Sequence, residues 1–243
     1  MLRISGLTKH FGGLPALAMV SFDIAPGKVT ALIGPNGAGK TTLINCLTGV
    51  IPPDQGSIIF RGSNIAGLPA HRLARLGMAR TFQNVRIFPR LSVLDNILCG
   101  LTIQTGNSFF PALLRTPGLR HRERKLRLKA LEALDAFKLA GKADLPAGAL
   151  PYGDKKRLEM ARAFVSQPLL ALLDEPVAGL NPEETAQIAA LIRQLRLAGQ
   201  TILLVEHDMD LVMTISDHVV VLDGGRGIAQ GSPDSIRRNP LVL

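Results

Sequence analysis

A glycine-rich octapeptide near the start of the chain, Gly34-Pro-Asn-Gly-Ala-Gly-Lys-Thr41, matches the pattern GxxxxGK[ST]. It follows the apolar run Val29–Ile33, which predicts a buried strand, and it leads into a helical pattern at Lys40–Thr48. When a strand and a helix flank a glycine-rich turn in this order, the backbone N–H groups of the turn surround a phosphate. The sequence therefore predicts a phosphate-binding loop at the centre of an α/β fold.

The residues of this loop differ in what they contribute to phosphate binding. The glycines permit backbone turns that direct N–H groups at the β- and γ-phosphates, and Lys40 adds a positive charge there. The Thr41 hydroxyl is a suitable ligand for Mg²⁺. The predicted nucleotide-binding residues of the loop are Asn36, Gly37, Gly39, Lys40, Thr41 and Thr42.

Further α/β units follow along the chain. Continuous apolar runs predict strands of a sheet that is covered on both faces. Asn181 followed by Pro182 predicts the first residues of a helix. Two alternating segments, Arg3–Leu7 and Val20–Ile24, predict an antiparallel edge sheet. The other predicted elements are strands at Leu169–Leu173, Thr201–Val205 and Val219–Leu222, and helices at Lys155–Val165 and Pro182–Leu197.

The pattern becomes mostly helical between residues 92 and 147, with a break rich in Gly, Pro and Asn at Thr105–Gly118. We therefore expect an α/β core formed by residues 1–91 and 148–243, with a helical subdomain inserted at 92–147. A basic run at Arg120–Lys129 is typical of a solvated helix face, and binding to an anionic surface is the alternative.

Polar residues follow two of the predicted strands at the ends that should face the phosphate loop. Asp174 and Glu175 close the run from Leu169, and His207 follows the strand at Thr201–Val205. Asp174 suits a Mg²⁺ shell, Glu175 suits the attacking water, and His207 is expected to reach the γ-phosphate. Without the phosphate loop, the two acids would be interpreted as a helix cap and the histidine as a hydrogen-bonded surface or core residue.

An amide near another strand end completes the candidate site. Gln83, in Thr81-Phe-Gln-Asn84, is predicted to contact Mg²⁺ or water, although a glutamine alone is a weak signal. The candidate metal ligands are thus Thr41, Gln83 and Asp174.

Composition excludes several classes of protein. With only 2 cysteines and no CxxC pair, neither a disulfide framework nor a zinc site is supported. No apolar run approaches the roughly 18–20 residues of a membrane helix, and the N-terminal residues lack a secretory signal pattern, so a cytoplasmic protein is expected. The net charge of +9 suits nucleic acid, anionic lipid or a phosphate-rich ligand. Aromatic residues make up only 4%, which argues against stacking on single-stranded nucleic acid.

The order of these motifs resembles that of the ATP-binding subunits of ABC transporters. The segment Leu150-Pro-Tyr-Gly-Asp154 and the helix after it are similar to the LSGGQ signature of that family. The resemblance implies ATP and Mg²⁺ as cofactors, with ATP held between two ATPase subunits arranged head to tail. In such a pair, Tyr152 and Gly153 would contact the nucleotide of the partner, and the loop Ala178–Asn181 would cross to it. Phe11 would stack on adenine, and a packed hydrophobic side chain is the alternative for Phe11.

In detail, the chain resembles the ATPases of branched-chain amino acid importers. The similar segments imply a second ABC ATPase as homodimer or heterodimer partner, two membrane permease subunits and an external solute-binding protein, with no nucleic acid. They also imply a peripheral location on the cytoplasmic face of the inner membrane and a coupling surface near Gln83–Pro89. These segments are Phe11-Gly-Gly, Ala79-Arg-Thr-Phe-Gln-Asn84, Leu113-Leu-Arg-Thr-Pro117, the LxYG form of the signature, Ala178-Gly-Leu-Asn-Pro182 and Glu206-His-Asp-Met209 with Leu211-Val-Met213.

The signature departs from the family pattern at two positions. Pro151 stands where the serine is expected, and Tyr152 stands where the first glycine is expected. Because Pro151 has no hydroxyl for the γ-phosphate of the partner's ATP, we hypothesise that the two ATP sites of the assembly are unequal and that the site using this signature is slower.

Two questions of function stay open at this point. The basic charge is also compatible with a different class of protein, a soluble ABC-type ATPase that acts on nucleic acid or ribosomes. No residue of the chain is expected to contact the transported solute, so polar amino acids, amides and urea are alternatives to branched-chain amino acids.

Overall fold

The computed structural model describes residues 1–101 and 117–242. Its strands are β1 (Leu2–Phe11), β2 (Leu14–Ile24), β3 (Val29–Ile33), β4 (Gln55–Phe60), β5 (Ser63–Asn64), β6 (Met78–Arg80), β7 (Leu170–Asp174), β8 (Thr201–Val205), β9 (His218–Asp223) and β10 (Arg226–Gly231). Its helices are α1 (Lys40–Leu47), α2 (Ala70–Arg75), α3 (Val93–Leu101), α4 (Pro117–Ala136), α5 (Tyr152–Phe164), α6 (Pro182–Leu197), α7 (Met209–Ile215) and α8 (Pro233–Arg237), with 3₁₀ turns at Ala140–Lys142 and Ala147–Ala149.

The four predicted buried strands lie in a six-stranded sheet in the order β10-β9-β3-β8-β7-β6, to which β6 and β10 add strands that were not predicted. The pairs within β9-β3-β8-β7-β6 are parallel, and β10 is antiparallel to β9. Every residue of β3, β7 and β8 is buried, as expected for strands covered on both faces. Because these strands are parallel, the residues that follow β3, β7 and β8 lie along one edge of the sheet.

The predicted antiparallel segments belong to a separate four-stranded sheet in the order β2-β1-β4-β5. Leu2 pairs with Ile24 and with Phe60 across the two neighbouring strands. One face of this sheet and the apolar side of α1 contribute to a shared core that contains Phe22 and Leu43. The mixed α/β fold predicted from the sequence is therefore confirmed, with β1 and β2 longer than the segments that predicted them.

The three predicted helices are observed, with shifts of up to three residues at their ends. Helix α6 has the predicted bounds, because the Asn181 side chain accepts a hydrogen bond from the Glu184 N–H (2.9 Å) and the Glu184 carboxylate accepts one from the Asn181 N–H (3.1 Å). Helix α5 begins at Tyr152, three residues before the predicted Lys155, with Pro151 as its N-cap. Asp154 lies inside the first turn, where it pairs with Lys142 and Arg157.

The chain divides into two compact units. The first contains Met1–Arg80, Leu169–Pro176 and Ala189–Leu243, and the second contains Thr81–Pro168 and Val177–Ile188. In the second unit α3 packs against α4 and α5.

The helical subdomain predicted at residues 92–147 falls within the second unit, and its boundaries stay a prediction. Residues 105–116 of the predicted break lie outside the described residues, as do Leu113–Thr116 of the family-like segments. The basic run lies on α4, where Arg124 and Arg127 are exposed. Across the part of the chain that the structure describes, the helices are too short or too polar to cross a bilayer.

Candidate nucleotide-binding site

The phosphate loop adopts a backbone that requires glycine at two positions. Gly37 and Gly39 have φ angles of +81° and +97°, in the left-handed region that other residues avoid. A Cβ at Gly39 would lie 2.5 Å from the Ala16 carbonyl oxygen, which is closer than any side chain can approach. A Cβ at Gly37 would have no atom within 4 Å, so the loop is open on that side. Gly39 therefore packs against protein, whereas Gly37 faces the space available to a ligand.

Neighbouring backbone holds the loop in this shape. The Ala38 carbonyl accepts a hydrogen bond from the Gly225 N–H (3.1 Å), and the Gly39 carbonyl accepts one from the Leu43 N–H (2.9 Å) at the start of α1. The Gly225 carbonyl in turn accepts one from the Ala18 N–H (2.8 Å). The loop is thus fixed by the β9–β10 turn and by β2 before any ligand binds.

Lys40 lies across its own loop. Its Nζ donates hydrogen bonds to the carbonyl oxygens of Gly34 (2.6 Å) and Pro35 (2.9 Å). Burial lowers the pKa of the Lys40 ammonium, and the charges of Glu175 and Asp174 act in the opposite direction. The predicted phosphate-binding cation therefore shares one electrostatic environment with the two predicted acids.

Asp174 ends β7 and is 7% exposed. Its Oδ2 accepts a hydrogen bond from Arg80 Nη2 (2.9 Å), and Arg80 Nη1 donates to Asn45 Oδ1 on α1 (2.7 Å) and to Oγ1 of Thr48, the C-cap of α1 (3.1 Å). Arg80 thereby connects the carboxylate at the end of β7 to the helix that follows the phosphate loop. Arg80 is not among the site residues predicted from the sequence. An arginine at the partly buried end of a short strand is a signal for an acidic partner, since a charge removed from water is costly alone.

Glu175 occupies a strained position directly after β7. Its φ angle is +48°, which a non-glycine residue adopts at a cost of about 1 kcal/mol or more. Its N–H donates to the Val205 carbonyl at the end of β8 (2.9 Å), so the ends of the two strands are joined. Strain of this kind persists where the surroundings fix one conformation, as they do in functional sites.

His207 lies two residues beyond β8, at the same edge of the sheet. Its side chain is 66% exposed, and its Nδ1 is 3.9 Å from the Glu206 carboxylate, which is fully buried. The His207 N–H also donates to Glu206 Oε2 (3.2 Å). The structure thus brings Lys40, Glu175 and His207 to the same edge of the sheet, and the catalytic roles of Glu175 and His207 stay predictions.

Phe11 ends β1 and is 51% exposed, with the Lys9 ammonium 5.7 Å from the ring centre. This exposure does not fit the alternative of a packed hydrophobic side chain. Stacking of Phe11 on adenine stays a prediction.

Three of the predicted site residues belong to the second unit. Gln83 follows β6 by three residues, and its carbonyl oxygen accepts a hydrogen bond from Lys156 Nζ (3.1 Å). Tyr152 opens α5 and is 45% exposed, whereas a Cβ at Gly153 would lie 2.4 Å from a Glu184 carboxylate oxygen. The contacts of Gln83, Tyr152 and Gly153 with nucleotide or metal stay predictions.

The signature and the loop after β7 touch each other within the second unit. A Cβ at Gly179 would lie 3.3 Å from the Tyr152 ring, and Glu184 beside Gly153 also caps α6. The predicted signature and the predicted crossing loop Ala178–Asn181 are therefore in direct contact.

The donor set at the sheet edge fits Mg²⁺. Among the described residues, no group of three or more His, Cys, Asp or Glu side chains forms a metal cage of its own. Mg²⁺ in phosphate sites typically takes one or two protein oxygens and completes its shell with phosphates and water. The hydroxyl of Thr41 and the carboxylate of Asp174 supply oxygens of this kind, and Thr41 is exposed at the start of α1.

Comparison with known proteins shows which family the chain resembles in sequence. The chain is 46% identical over 244 residues to the high-affinity branched-chain amino acid transport ATP-binding protein BraF of Pseudomonas aeruginosa, and the match covers 100% of this chain and 96% of that protein. It is 45% identical to the corresponding protein LivG of Escherichia coli, with the same coverage.

A solved structure has the same fold. The crystal structure of a nucleotide-free ATP-binding cassette from an ABC transporter superposes with a TM-score of 0.86 at 32% identity, covering 100% of this chain and 96% of that one. A cassette of an ABC transporter in its ADP conformation also gives a TM-score of 0.86, at 34% identity and the same coverage. The family profile described as ABC transporter matches residues 17–178, which contain the phosphate loop, the signature and both acids. The chain belongs to the ABC transporter family of ATP-binding cassettes.

Proposed function

We propose that this protein is the ATP-hydrolysing subunit of an importer for branched-chain or related amino acids. The observation that carries the proposal is the convergence of Lys40, Asp174 and Glu175 on one electrostatic environment beside an open phosphate loop. Full-length relatives that are named for branched-chain amino acid transport support the choice of cargo.

The reaction assigned to this site is attack of water on the γ-phosphate of ATP. The loop N–H groups and the Lys40 ammonium bind the phosphates, and Glu175 orients the attacking water while His207 contacts the γ-phosphate. Thr41 and Asp174 would hold Mg²⁺, with Gln83 as a further ligand. Mg²⁺ supplies neutralisation of charge on the phosphate oxygens.

The assembly would contain a second ABC ATPase subunit, with each ATP held between the phosphate loop of one subunit and the signature of the other. ATP favours the closed pair because it contacts both subunits only in that state. Tyr152, Gly153 and the loop Ala178–Asn181 would form the partner-facing side, and Phe11 would stack on adenine.

Two permease subunits and an external solute-binding protein would complete the importer, with this chain on the cytoplasmic face of the membrane. Segment Gln83–Pro89 would meet the permeases. The similarity to transport proteins does not favour the alternative of an ATPase that acts on nucleic acid or ribosomes.

The proposal is tested with the complete importer, in which this chain is co-expressed with permease subunits and a solute-binding protein and placed in lipid vesicles. We expect uptake of leucine that requires ATP, with glutamine, amides and urea as competing solutes. A matched importer that carries Glu175→Gln should take up no leucine. ATP hydrolysis that responds to nucleic acid or ribosomes but not to the loaded binding protein would contradict the proposal.

A further inference from the structure

Helix α5 holds the segment Phe82–Phe88 through a buried carboxylate. Glu159 is 3% exposed, and its Oε1 accepts hydrogen bonds from the Phe82 N–H (3.3 Å) and from the Arg86 N–H (3.1 Å). Both donors belong to the backbone, so the contact depends on the path of the segment and not on its side chains. A single oxygen of Glu159 therefore connects two points of the segment to the helix.

Two cations on the same face of α5 complete this contact. Lys156, one turn before Glu159, is 2% exposed and donates from Nζ to the Gln83 carbonyl (3.1 Å). Arg162, one turn after, donates to the Arg86 carbonyl and lies with its guanidinium carbon 5.5 Å from the centre of the Phe88 ring. Residues three apart on a helix share a face, so Lys156, Glu159 and Arg162 can all contact the segment from one side of the helix.

A buried amide fixes the far end of the segment. Asn96, on α3, is fully buried, and it accepts a hydrogen bond from the Phe88 N–H (2.8 Å) and donates one to the Phe88 carbonyl (3.0 Å). The Phe88 side chain is nevertheless 50% exposed, and Leu91 just beyond it is 38% exposed. The segment thus has a fixed backbone and presents apolar surface.

Stability alone does not explain a buried ionic contact of this kind. Burial raises the pKa of the Glu159 carboxyl, and the two backbone N–H groups, Lys156 and Arg162 oppose that rise. Well-packed apolar residues usually stabilise such a position as well or better. Buried charged groups of this kind are best explained where they specify one geometry, and the geometry specified here is the attachment of Phe82–Phe88 to α5.

Helix α5 connects the signature at its first turn to Glu159. Its first residue, Tyr152, is the predicted contact with the nucleotide of the partner subunit, and Glu159 lies seven residues later, about 10 Å along the axis. A movement of the first turn therefore reaches Glu159 without bending of the helix.

We propose that Glu159 is a positioning residue that fastens segment Phe82–Phe88 to helix α5, so that displacement of the helix on ATP binding is delivered to the permease through that segment. The proposal rests on the proposed transport function and assigns a residue to its coupling step.

The main test compares Glu159→Leu, which removes the acceptor, with Glu159→Gln, which keeps Oε1. In the importer in vesicles, we expect Glu159→Leu to keep ATP binding and basal hydrolysis. The rate of hydrolysis stimulated by leucine-loaded binding protein should fall about tenfold. Glu159→Gln should restore most of that stimulation. Glu132→Leu, at an exposed glutamate of α4, is the matched control and should resemble the wild type.

A second measurement uses the full chain without permeases. Amide hydrogen exchange of residues 82–88 is followed with and without ATP in a Glu175→Gln background, which prevents turnover. We expect ATP to change exchange in this segment in the parent and in Glu159→Gln, and to have little effect in Glu159→Leu. If Glu159→Leu does not fold, Lys156→Met is measured in its place. This variant removes only the neighbouring donor, so we expect the effect of ATP on exchange in residues 82–88 to be weakened but not lost.

The outcomes separate the two proposals. Absence of leucine-stimulated hydrolysis in the wild-type importer contradicts the transport function, whereas an ATP effect on segment 82–88 that depends on Glu159 would still support the attachment. Full stimulation in Glu159→Leu, or an ATP response of the segment equal to that of the parent, would overturn the inference about Glu159.

Discussion

In the unit that carries the phosphate loop, Asp174 stands at the end of a strand and Lys40 is the first residue of the helix that follows the loop. In the other unit, Glu159 and Lys156 lie on a helix face and are nearly inaccessible. We propose that Lys40 and Asp174 are placed to meet a ligand, whereas Glu159 and Lys156 meet backbone groups of a neighbouring segment. In these proposals the first arrangement serves chemistry and the second serves mechanical connection, and each makes its own predictions.

The largest expected effect is on the rate of ATP hydrolysis, with little change in ATP affinity. Glu175→Gln removes the charge that orients water but little ground-state contact, so we expect ATP hydrolysis to fall about 100-fold or more with ATP affinity nearly unchanged. Turnover by phosphate release and affinity by calorimetry measure the two quantities. Glu183→Gln, at an exposed residue of α6, is the control. Persistent turnover would remove Glu175 from its assigned role.

The next effect concerns binding itself. Lys40→Ala removes the cation of the phosphate loop, and we expect ATP affinity to fall about tenfold or more, since hydrogen bonds to charged groups are the strong ones. Titration calorimetry measures the change. Lys125→Ala on the exposed face of α4 is a matched control. Unchanged affinity in Lys40→Ala would contradict the assignment of the phosphate loop.

A smaller effect tests the altered signature. In a heterodimeric assembly, ATP at the phosphate loop of this chain faces the partner's signature, and the partner's ATP faces Pro151 and Tyr152. Because Pro151 lacks a hydroxyl, we expect Glu175→Gln here to reduce turnover about three- to tenfold more than the equivalent change in the partner. The measurement is steady-state ATP hydrolysis by the two mixed assemblies. Equal losses would count against unequal sites.

The smallest expected effect is on the free energy of unfolding, through the N-terminal cap of α6. Asn181→Ala removes the side-chain acceptor of the helix cap, so we expect a loss of about 1 kcal/mol in the free energy of unfolding. Asn181→Ser keeps an acceptor and should recover most of that loss. Chemical denaturation of the three proteins makes the comparison, and equal stability of the alanine and asparagine forms would show that the cap contributes little.

Local patterns were sufficient for the parts of the fold that depend on neighbouring residues. The apolar runs gave β3 and β8 with their observed bounds, and Asn181 with Pro182 gave the start of α6. The strand β4 was not predicted, because its apolar residues form a short run and its pairing partner is the distant β1.

The contacts around the site were harder to predict because their partners are remote in sequence. Arg80 and Asp174 are 94 residues apart, and Phe82 and Glu159 are 77 apart. Motif spacing identified Asp174, but only the folded chain shows which arginine contacts it. The same applies to Glu159, whose position in an ordinary helical pattern carried no signal of its own.

The carbonyl oxygen of Ala16 occupies the place that a side chain at residue 39 would need. The N-terminal hairpin therefore forms a wall of the phosphate loop, although none of its residues appears in the motif. We expect a fluorescent label inserted in the β1–β2 turn at Gly12-Gly13 to report on nucleotide binding, because that turn joins Phe11, the predicted adenine contact, to the strand that carries Ala16.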